Sequence, residues 1–106
     1  MPLNVREYQT ADGESPFRRW LGTLDRSVRA RIQARVLRFE AGNLGDHKSV
    51  GAGALEARVM TGSGYRIYFA RDGASLVLLL AGGTKASQRK DIRRAQDYWR
   101  DYLQRT

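Results

Sequence analysis

The first half of the chain carries apolar residues at helical spacing, bounded by residues that start and end helices. Four of them recur at i, i+3, i+4 and i+7 and form one face of a first helix: Phe17, Trp20, Leu21 and Leu24. Ser15 before Pro16 marks its start, because serine can cap the first turn and proline suits the first helical position. A second helix between Asp25, as its cap, and Gly42 has one apolar side: Val28, Ile32, Val36 and Phe39.

The second half of the chain has the pattern of strands. Residues 55–60, 65–71 and 75–81 are strand candidates joined by glycine-containing turns, which predicts a meander. The run from Leu76 to Ala81 is wholly apolar, so the third strand is predicted to be central and covered on both faces. Residues 4–8 add a short first strand, and the glycine-rich residues 43–53 are predicted to be a loop.

A final helix is predicted over about residues 86–103, and it completes a single domain. Its inner face carries four residues: Ile92, Ala95, Trp99 and Tyr102. Both tryptophans of the chain therefore lie on predicted core faces, where packing is favoured over stacking on bases. The sequence predicts one α+β domain over residues 1–106, with a three-stranded antiparallel meander and the order β-α-α-β-β-β-α.

The register of the first two meander strands leads to the candidate site. Their apolar residues share one face only if Val59 lies opposite Tyr65, with a three-residue loop at residues 61–63. The other face then has Arg58 opposite Arg66, and Glu56 opposite Tyr68. Like charges directly across a ladder destabilise it by some tenths of a kcal/mol. An uncovered anion-binding face explains the arginine pair, although two arginines that splay into water remain the alternative.

Two lysines are predicted to extend this arginine pair. Lys85 follows the third strand at the start of the last helix, and Lys48 lies in the glycine-rich loop. On the outer side of the second helix, arginines form a stripe that either is a solvated face, docks on ribosomal RNA or holds an acidic partner segment: Arg26, Arg29, Arg31, Arg35 and Arg38. The candidate RNA contacts are Lys48, Arg29, Arg31, Arg35, Arg38 and Lys90.

Composition narrows the classes of function. The chain has 19 Lys and Arg against 11 Asp and Glu, a net charge of +8, and arginine supplies most of the excess. Arginine suits phosphates and bases, so a nucleic acid is the favoured partner, with a merely basic domain or an acidic protein partner as alternatives. The sequence has no cysteine, no long apolar segment and no secretory pattern, which predicts a cytoplasmic protein without disulfides or thiolate metal sites.

Several spaced blocks of the sequence resemble a known family. They are Gly42-Asn43-Leu44-Gly45-Asp46 with Lys48 and Gly51, Leu55-Glu56-Ala57-Arg58, Gly64-Tyr65-Arg66-Ile67-Tyr68-Phe69, Leu78-Leu79-Leu80 with Gly82-Gly83, and Lys85-Ala86-Ser87-Gln88 before Asp91-Ile92, Ala95 and Trp99. In this order they resemble the addiction-module killer proteins, which are HigB-like toxins of the RelE/ParE superfamily. The resemblance covers about residues 5–102.

The resemblance implies a toxin of a two-gene module and a RelE/ParE-like fold, in which a strand and two helices precede an antiparallel sheet with a further helix. It implies a helix-turn-helix antitoxin as partner, in a toxin–antitoxin complex. Many members cleave messenger RNA on the 70S ribosome without a metal or cofactor, and so inhibit translation and growth, whereas ParE-like members poison DNA gyrase. Three functions stay open: endoribonuclease, gyrase inhibitor, and a non-catalytic domain that binds nucleic acid or a partner.

The candidate catalytic residues are Arg58, Arg66, Tyr68 and Lys85. RNA cleavage by attack of the 2′-OH needs stabilisation of negative charge at phosphorus, which two arginines supply. The neighbouring cations are expected to lower the pKa of Tyr68. Lys85 is predicted to serve as base or charge donor, and RelE-type toxins similarly use arginine, lysine and tyrosine. Further candidates for the site are Glu56, as base or as ion-pair partner of an arginine, and Tyr65 or Gln88, as substitutes for one of the four; the lone His47 is predicted to be a bystander.

Overall fold

The computed structural model of the chain describes residues 1–59 and 64–105. Its strands are β1 (Asn4–Glu7), β2 (His47–Ser49), β3 (Leu55–Val59), β4 (Tyr65–Asp72) and β5 (Leu76–Gly83). Its α-helices are α1 (Pro16–Gly22), α2 (Arg26–Glu40) and α3 (Gln88–Arg105), and a 3₁₀ turn (Lys85–Ser87) leads into α3. The predicted α+β class is therefore confirmed.

The strands form one mixed sheet in the order β1-β5-β4-β3-β2. β1 runs parallel to β5, and the other neighbours are antiparallel. The meander β3-β4-β5 is present, but the predicted order β-α-α-β-β-β-α is wrong because it lacks β2, and the sheet has five strands with β1 and β2 at its edges. As predicted, β5 has a neighbour on each side and is buried from Val77 onwards. The turn predicted at residues 61–63 lies outside the described residues.

The strand β2 was predicted to be part of a loop. Its three residues, His47 to Ser49, are all exposed and polar, so they lack the apolar alternation by which strands are recognised. They pair with the residues from Leu55 to Ala57 of β3. Lys48 is consequently a strand residue with a fixed place opposite Glu56, and the prediction that it lies in a loop is wrong.

The ends of the first two helices follow the sequence signals. The Ser15 hydroxyl accepts a hydrogen bond from the backbone N–H of Arg18, and Pro16 begins α1, as predicted. Asp25 directly precedes α2, but its side chain makes no capping hydrogen bond. Gly42 follows the end of α2 with a φ of 93°, a left-handed conformation that favours glycine. These ends fix where α2 and its arginines lie on the sheet.

Each face of the sheet packs against helices in a core of its own. α1 and α2 cover one face and bury an apolar cluster that includes Phe17, Ile32, Phe39, Ile67 and Phe69. α3 covers the other face through Ala95 and Trp99, which pack with Tyr68, Leu78 and Leu80. We call these the α2 face and the α3 face. In the part of the chain that the structure describes, no helix is both long and apolar enough to span a membrane.

Candidate functional site

The register between β3 and β4 is the predicted one. Arg58 pairs with Arg66, Glu56 with Tyr68, and Val59 with Tyr65. Because side chains directly opposite each other share a face, both arginines belong to the α3 face, with Glu56 and Tyr68 beside them. The neighbouring strands extend this arrangement, because Lys48 of β2 lies opposite Glu56 and Gly83 of β5 lies opposite Arg66. The site is therefore built on rigid strands.

A buried carboxylate lies at the centre of this site. The side chain of Glu56 is only 1% exposed. Its Oε2 accepts hydrogen bonds from the Tyr68 hydroxyl at 3.0 Å and from Gln88 Nε2 at 2.9 Å. Its Oε1 has no hydrogen-bond partner among the described residues, and Lys48 Nζ lies 3.9 Å away from it. A buried carboxylate of this kind needs positive charge nearby, and the surrounding cations supply it.

Arg66 is the cation that lies deepest in the site. Its Nε is 3.5 Å from Glu56 Oε2, and its Nη1 donates to the Gly64 carbonyl oxygen at 2.6 Å. Its side chain is 8% exposed. Gly64 has a φ of +71°, and a Cβ there would lie 3.3 Å from Arg66 Nη1 and 3.8 Å from the Lys85 Cβ. Gly64 thus brings the backbone close to Arg66 and places Lys85 next to it.

The rim of the site carries the accessible cations. Arg58 has a side chain that is 50% exposed, and its Nε lies 3.8 Å from an exposed carboxylate oxygen of Asp46. Exposed pairs at this distance are weak, so the guanidinium of Arg58 is available to an anion. The side chains of Lys48 and Lys85 are also exposed. We call Lys48, Arg58, Arg66 and Lys85 the cationic cluster.

The prediction of an uncovered sheet face is wrong for the inner half of the site. α3 packs across the α3 face, so that Glu56, Tyr68 and Arg66 are buried and only the rim cations are exposed. The predicted lowering of the Tyr68 pKa is also wrong. Burial raises the pKa of Tyr68, and the negative charge of Glu56 raises it further, which outweighs the opposite effect of Arg66. Tyr68 is consequently a neutral hydrogen-bond donor that holds Glu56 in place.

The arginines of α2 divide into buried and exposed members. Arg35 is buried, and its guanidinium donates to three backbone carbonyl oxygens, those of Arg58 at 2.7 Å, Asp46 at 2.8 Å and Leu44 at 3.2 Å. The prediction that Arg35 contacts RNA is therefore wrong, because its donors hold the chain before β2 against the end of β3. Arg29 is half-buried, and its guanidinium donates to the Leu24 carbonyl oxygen at 2.9 Å. This contact limits the availability of Arg29 to RNA as well.

Arg31 and Arg38 keep the exposure that was predicted for the stripe. Together with Arg58 and Asp46 they line a groove of about 380 Å³ between α2 and the end of β3. Lys90, the remaining predicted RNA contact, is exposed on the first turns of α3. It lines a different cavity, of about 360 Å³, between α1 and α3. Exposed positive charge is thus present on both sides of the cationic cluster.

His47 does not join the cationic cluster. It precedes Lys48 in β2, so its side chain lies on the opposite face, where its ring centroid is 6.0 Å from that of Phe69. Its Nδ1 is 2.9 Å from the Gly45 carbonyl oxygen. Among residues 1–59 and 64–105, no three His, Asp or Glu side chains are grouped closely enough to hold a metal ion. The chemistry that these residues offer is that of arginine, lysine, tyrosine and a buried carboxylate.

The role of Arg35 was missed, although the sequence contained a signal for it. Arg35 follows Ile32 by three residues and precedes Phe39 by four, so it falls on the apolar side of α2. A charged residue at such a position has to find buried partners, and here those are carbonyl oxygens. The contribution of Asp46 was missed as well, because its pairing with Arg58 depends on the unexpected strand β2.

Comparison with known proteins identifies a relative in a bacterium. No family model matches the chain. A protein of Haemophilus influenzae, described as uncharacterized, is 44% identical over 81 residues, which cover 76% of this chain and 82% of the relative. Identity over that share of both chains establishes common family membership, and the relative's description attaches no activity to it.

Proposed function

We propose that this chain, which belongs to the family of that Haemophilus influenzae protein, is a RelE/ParE-like toxin that cleaves messenger RNA on the translating ribosome. The observation that carries the proposal is the arginine pair Arg58–Arg66, which the register of β3 and β4 holds side by side on one face. Lys85 lies beside Arg66, and both Lys48 and Arg66 lie within 4 Å of the buried carboxylate of Glu56. Such a concentration of fixed positive charge suits a phosphodiester.

The proposed reaction is attack of a ribose 2′ oxygen on the adjacent phosphorus, with departure of the 5′ oxygen. Arg58 and Arg66 would stabilise the negative charge that develops on the phosphoryl oxygens. Preorganised donors of this kind are worth about 10²–10³ in rate each. Lys85, which is exposed beside Arg66, would give the proton to the leaving 5′ oxygen. The products would be a 2′,3′-cyclic phosphate and a 5′-hydroxyl.

The proton of the 2′-OH requires an acceptor, and Glu56 Oε1 is the one we assign. This oxygen lacks a hydrogen-bond partner among the described residues and lies beneath the ammonium of Lys48. The Lys48 side chain is 64% exposed, so it has room to move aside when a nucleotide binds. Tyr68 and Gln88 would act as positioning residues, because both donate to the other oxygen of Glu56.

The proposal includes the partners and the location that follow from the family resemblance. A helix-turn-helix antitoxin would hold the toxin inactive in a cytoplasmic complex. The 70S ribosome would present the messenger RNA, with Arg31 and Arg38 of the groove beside Arg58 in contact with RNA phosphates. Both arginines are exposed, and the net charge of +8 favours such contacts.

Cleavage on programmed ribosomes tests the proposal. Purified chain is added to ribosomes stalled on a defined messenger RNA, and the 5′ ends of the products are mapped. We expect cuts in register with the reading frame, and a loss of about 100-fold or more in Arg66→Ala. Arg100→Ala is the matched control, because Arg100 is an exposed arginine of α3 that pairs with Asp97 away from the site. Intact messenger RNA with the unaltered chain would contradict the nuclease assignment.

The burial of Tyr68 and Glu56 favours a second candidate, a ParE-like inhibitor of DNA gyrase that cleaves nothing. Both side chains are almost wholly sealed beneath α3, which suits a structural hydrogen-bond network. In this alternative the α3 face is dispensable and the terminal elements bind gyrase. Inhibition of gyrase supercoiling with no cleavage of messenger RNA, unchanged in Arg66→Ala, would support it.

A further inference from the structure

A slot opens at the free edge of β5. β1 accompanies β5 only to Leu79, whose carbonyl oxygen accepts the backbone N–H of Tyr8 at 2.9 Å. From Ala81 to Gly83 the edge of β5 that faces away from β4 has no paired strand among the described residues. α1 and α3 flank this edge and enclose a cavity of about 360 Å³. We call this cavity the β5 slot.

Two aromatic side chains wall the β5 slot. Trp20 comes from α1 and lies against Gly82, where a Cβ would be 2.1 Å from a carbon of the indole ring. Tyr98 comes from α3 and stacks on Tyr8 with a distance of 5.0 Å between ring centroids. Both Trp20 and Tyr98 are half-buried, so each presents part of its ring to the slot. Any side chain at position 82 would displace Trp20, and glycine is therefore needed to build the slot.

The charged residues of the β5 slot are mostly cations. Arg19, Lys90 and Arg94 line it and are exposed, and Asp91 is its carboxylate. Asp91 is buried at the base of the slot and accepts a hydrogen bond from the Ser87 hydroxyl. A carboxylate has about four acceptor sites, so Asp91 can accept further hydrogen bonds from a bound group. The slot thus combines aromatic surface, an acceptor at its base and cations at its mouth.

The β5 slot adjoins the cationic cluster. Gly83 lines the slot and lies directly opposite Arg66, so one strand spacing of about 5 Å separates the two features. Lys85 of the cationic cluster lies between Thr84 and Ser87, which also line the slot. If a polymer binds with one of its phosphodiesters at Arg66, the next unit of that polymer would consequently lie at the β5 slot.

We propose that the β5 slot binds one unpaired nucleobase of the RNA strand whose phosphodiester the cationic cluster holds. This inference rests on the proposed function and adds a base-binding subsite to it. Aromatic rings bind every base by stacking, and the cations suit the flanking phosphates. Asp91 would accept from an exocyclic amino group, as carboxylates do with cytosine N4, so amino-bearing bases would be preferred to uracil.

The fluorescence of Trp20 tests the subsite without requiring cleavage. The chain has two tryptophans, and Trp99→Phe leaves Trp20 as the only one while keeping a ring at the position that stacks on Tyr102. In this background, a short cytosine- or adenine-containing RNA with a 2′-O-methyl group at each ribose should quench Trp20. A strand of the same length with an abasic ribose at the tested position should not quench it.

Variants of the β5 slot sharpen the same titration. In the Trp99→Phe background, Tyr98→Ala should weaken RNA binding, as measured by quenching of Trp20, about 10-fold or more. Tyr98→Phe keeps the ring and should bind RNA as tightly as the Trp99→Phe chain does. Lys90→Ala with Arg94→Ala should also weaken RNA binding, and it alters only exposed side chains. Arg66→Ala should slow cleavage about 100-fold or more but leave quenching by a single nucleoside unchanged, so that failure of the nuclease assignment and failure of the subsite are distinguished.

Two results would overturn the subsite. Equal quenching by the abasic strand would mean that the phosphates of the RNA, and not a base, lie near Trp20. Quenching by an extended peptide but not by any RNA would mean that the open edge of β5 receives a strand from a protein. Quenching that depends on the base and on the ring of Tyr98 is the result we expect.

Discussion

The two faces of the sheet use alternate residues of the same strands and have different properties. The α2 face of β3 and β4 presents Ala57, Val59, Ile67 and Phe69 to an apolar core. On the α3 face the same two strands place Glu56, Arg58, Arg66 and Tyr68. The residues on the α2 face are apolar, so burial from water accounts for their positions. The set on the α3 face keeps a carboxylate and a guanidinium almost fully buried, and an apolar pair of similar volume is often as stable or more so.

This difference teaches where stability and function are separated in the molecule. Both faces of the sheet bury apolar side chains that stabilise the fold, and where β3 pairs with β4 the α2 face carries the apolar residues. The α3 face instead holds ionised groups in fixed positions, with Glu56 as the common partner of Arg66, Lys48 and the Tyr68 hydroxyl. Substitutions on the α2 face should therefore lower stability without slowing RNA cleavage by the folded chain, whereas substitutions on the α3 face should affect both.

The largest effect on stability is expected for Glu56→Ala. Removal of this carboxylate leaves Arg66 buried without its partner, and breaking a buried ion pair in this way costs about 3–5 kcal/mol. Urea denaturation measures the loss. Glu40→Ala, at an exposed carboxylate of α2, is the control and should change the free energy of unfolding by less than about 0.5 kcal/mol. A similarly small change for Glu56→Ala would show that Glu56 does not compensate Arg66.

On the opposite face, Ile67→Ala should lower the free energy of unfolding by about 2–5 kcal/mol, because it leaves a cavity in the apolar core. Ile67 is fully buried and lies between Arg66 and Tyr68 in sequence, but it faces α2. Below the temperature at which this variant unfolds, its rate of RNA cleavage should equal that of the unaltered chain. A large loss of rate in folded Ile67→Ala would remove the distinction between the faces.

A smaller effect is expected for Tyr68→Phe, which removes one hydrogen bond to Glu56 and costs about 1 kcal/mol at neutral pH. The pKa of Tyr68 is raised in the folded chain, so its neutral form stabilises the fold below pH 10 or so, and stability is lost as pH rises beyond that. Phenylalanine cannot ionise. Urea denaturation at pH 8 and pH 11 should therefore show a smaller alkaline loss for Tyr68→Phe.

Tyr8 provides the comparison for this pH dependence. Burial raises the pKa of Tyr8 to about 12, and its hydroxyl donates to Asp101 at 2.6 Å. Tyr8→Phe should remove the part of the loss of stability at high pH that is due to Tyr8, and it should leave the part that is due to Tyr68. An alkaline loss that is identical in the unaltered chain and in Tyr68→Phe would contradict the raised pKa.

The smallest effect on stability is expected for Lys48→Ala. The ammonium is largely exposed and lies 3.9 Å from Glu56 Oε1, and exposed pairs contribute about 0–1 kcal/mol. The rate of RNA cleavage should change by a larger factor than the equilibrium constant of unfolding, because Lys48 belongs to the cationic cluster. Rate and stability measured on the same preparation decide this, and an unchanged rate would restrict the cluster to Arg58, Arg66 and Lys85.

The sequence allowed the register of β3 and β4 to be predicted, because the apolar alternation together with a short connecting loop favours the pairing of Val59 with Tyr65. The covering of the α3 face could not be predicted in the same way. The apolar side of α3, with Ala95 and Trp99, was recognised, but its place over Tyr68 depends on contacts between residues far apart in the sequence. Local pattern therefore assigned residues to the right face and gave the wrong exposure for Arg66 and Tyr68.

The predictions failed for a second physical reason at the edge of the sheet. A strand of three exposed polar residues has no alternation to detect, so β2 and the position of Lys48 opposite Glu56 became visible only in the structure. Arg35 was assigned to the outer stripe by its charge, whereas its spacing from Ile32 and Phe39 indicated the inner side. Position in the pattern was the better guide there, and the charge is satisfied by carbonyl oxygens.

The central claim, that Arg58 and Arg66 hold one phosphodiester together, is tested most directly by a double-mutant cycle on ribosome-bound messenger RNA. Single-turnover cleavage rates are measured for the unaltered chain, Arg58→Ala, Arg66→Ala and the double variant, with Arg100→Ala as control. We predict losses of about 100-fold for each single variant and a loss in the double variant well below their product, because groups that act on one phosphate are coupled. Unreduced cleavage in Arg58→Ala and Arg66→Ala would contradict the account.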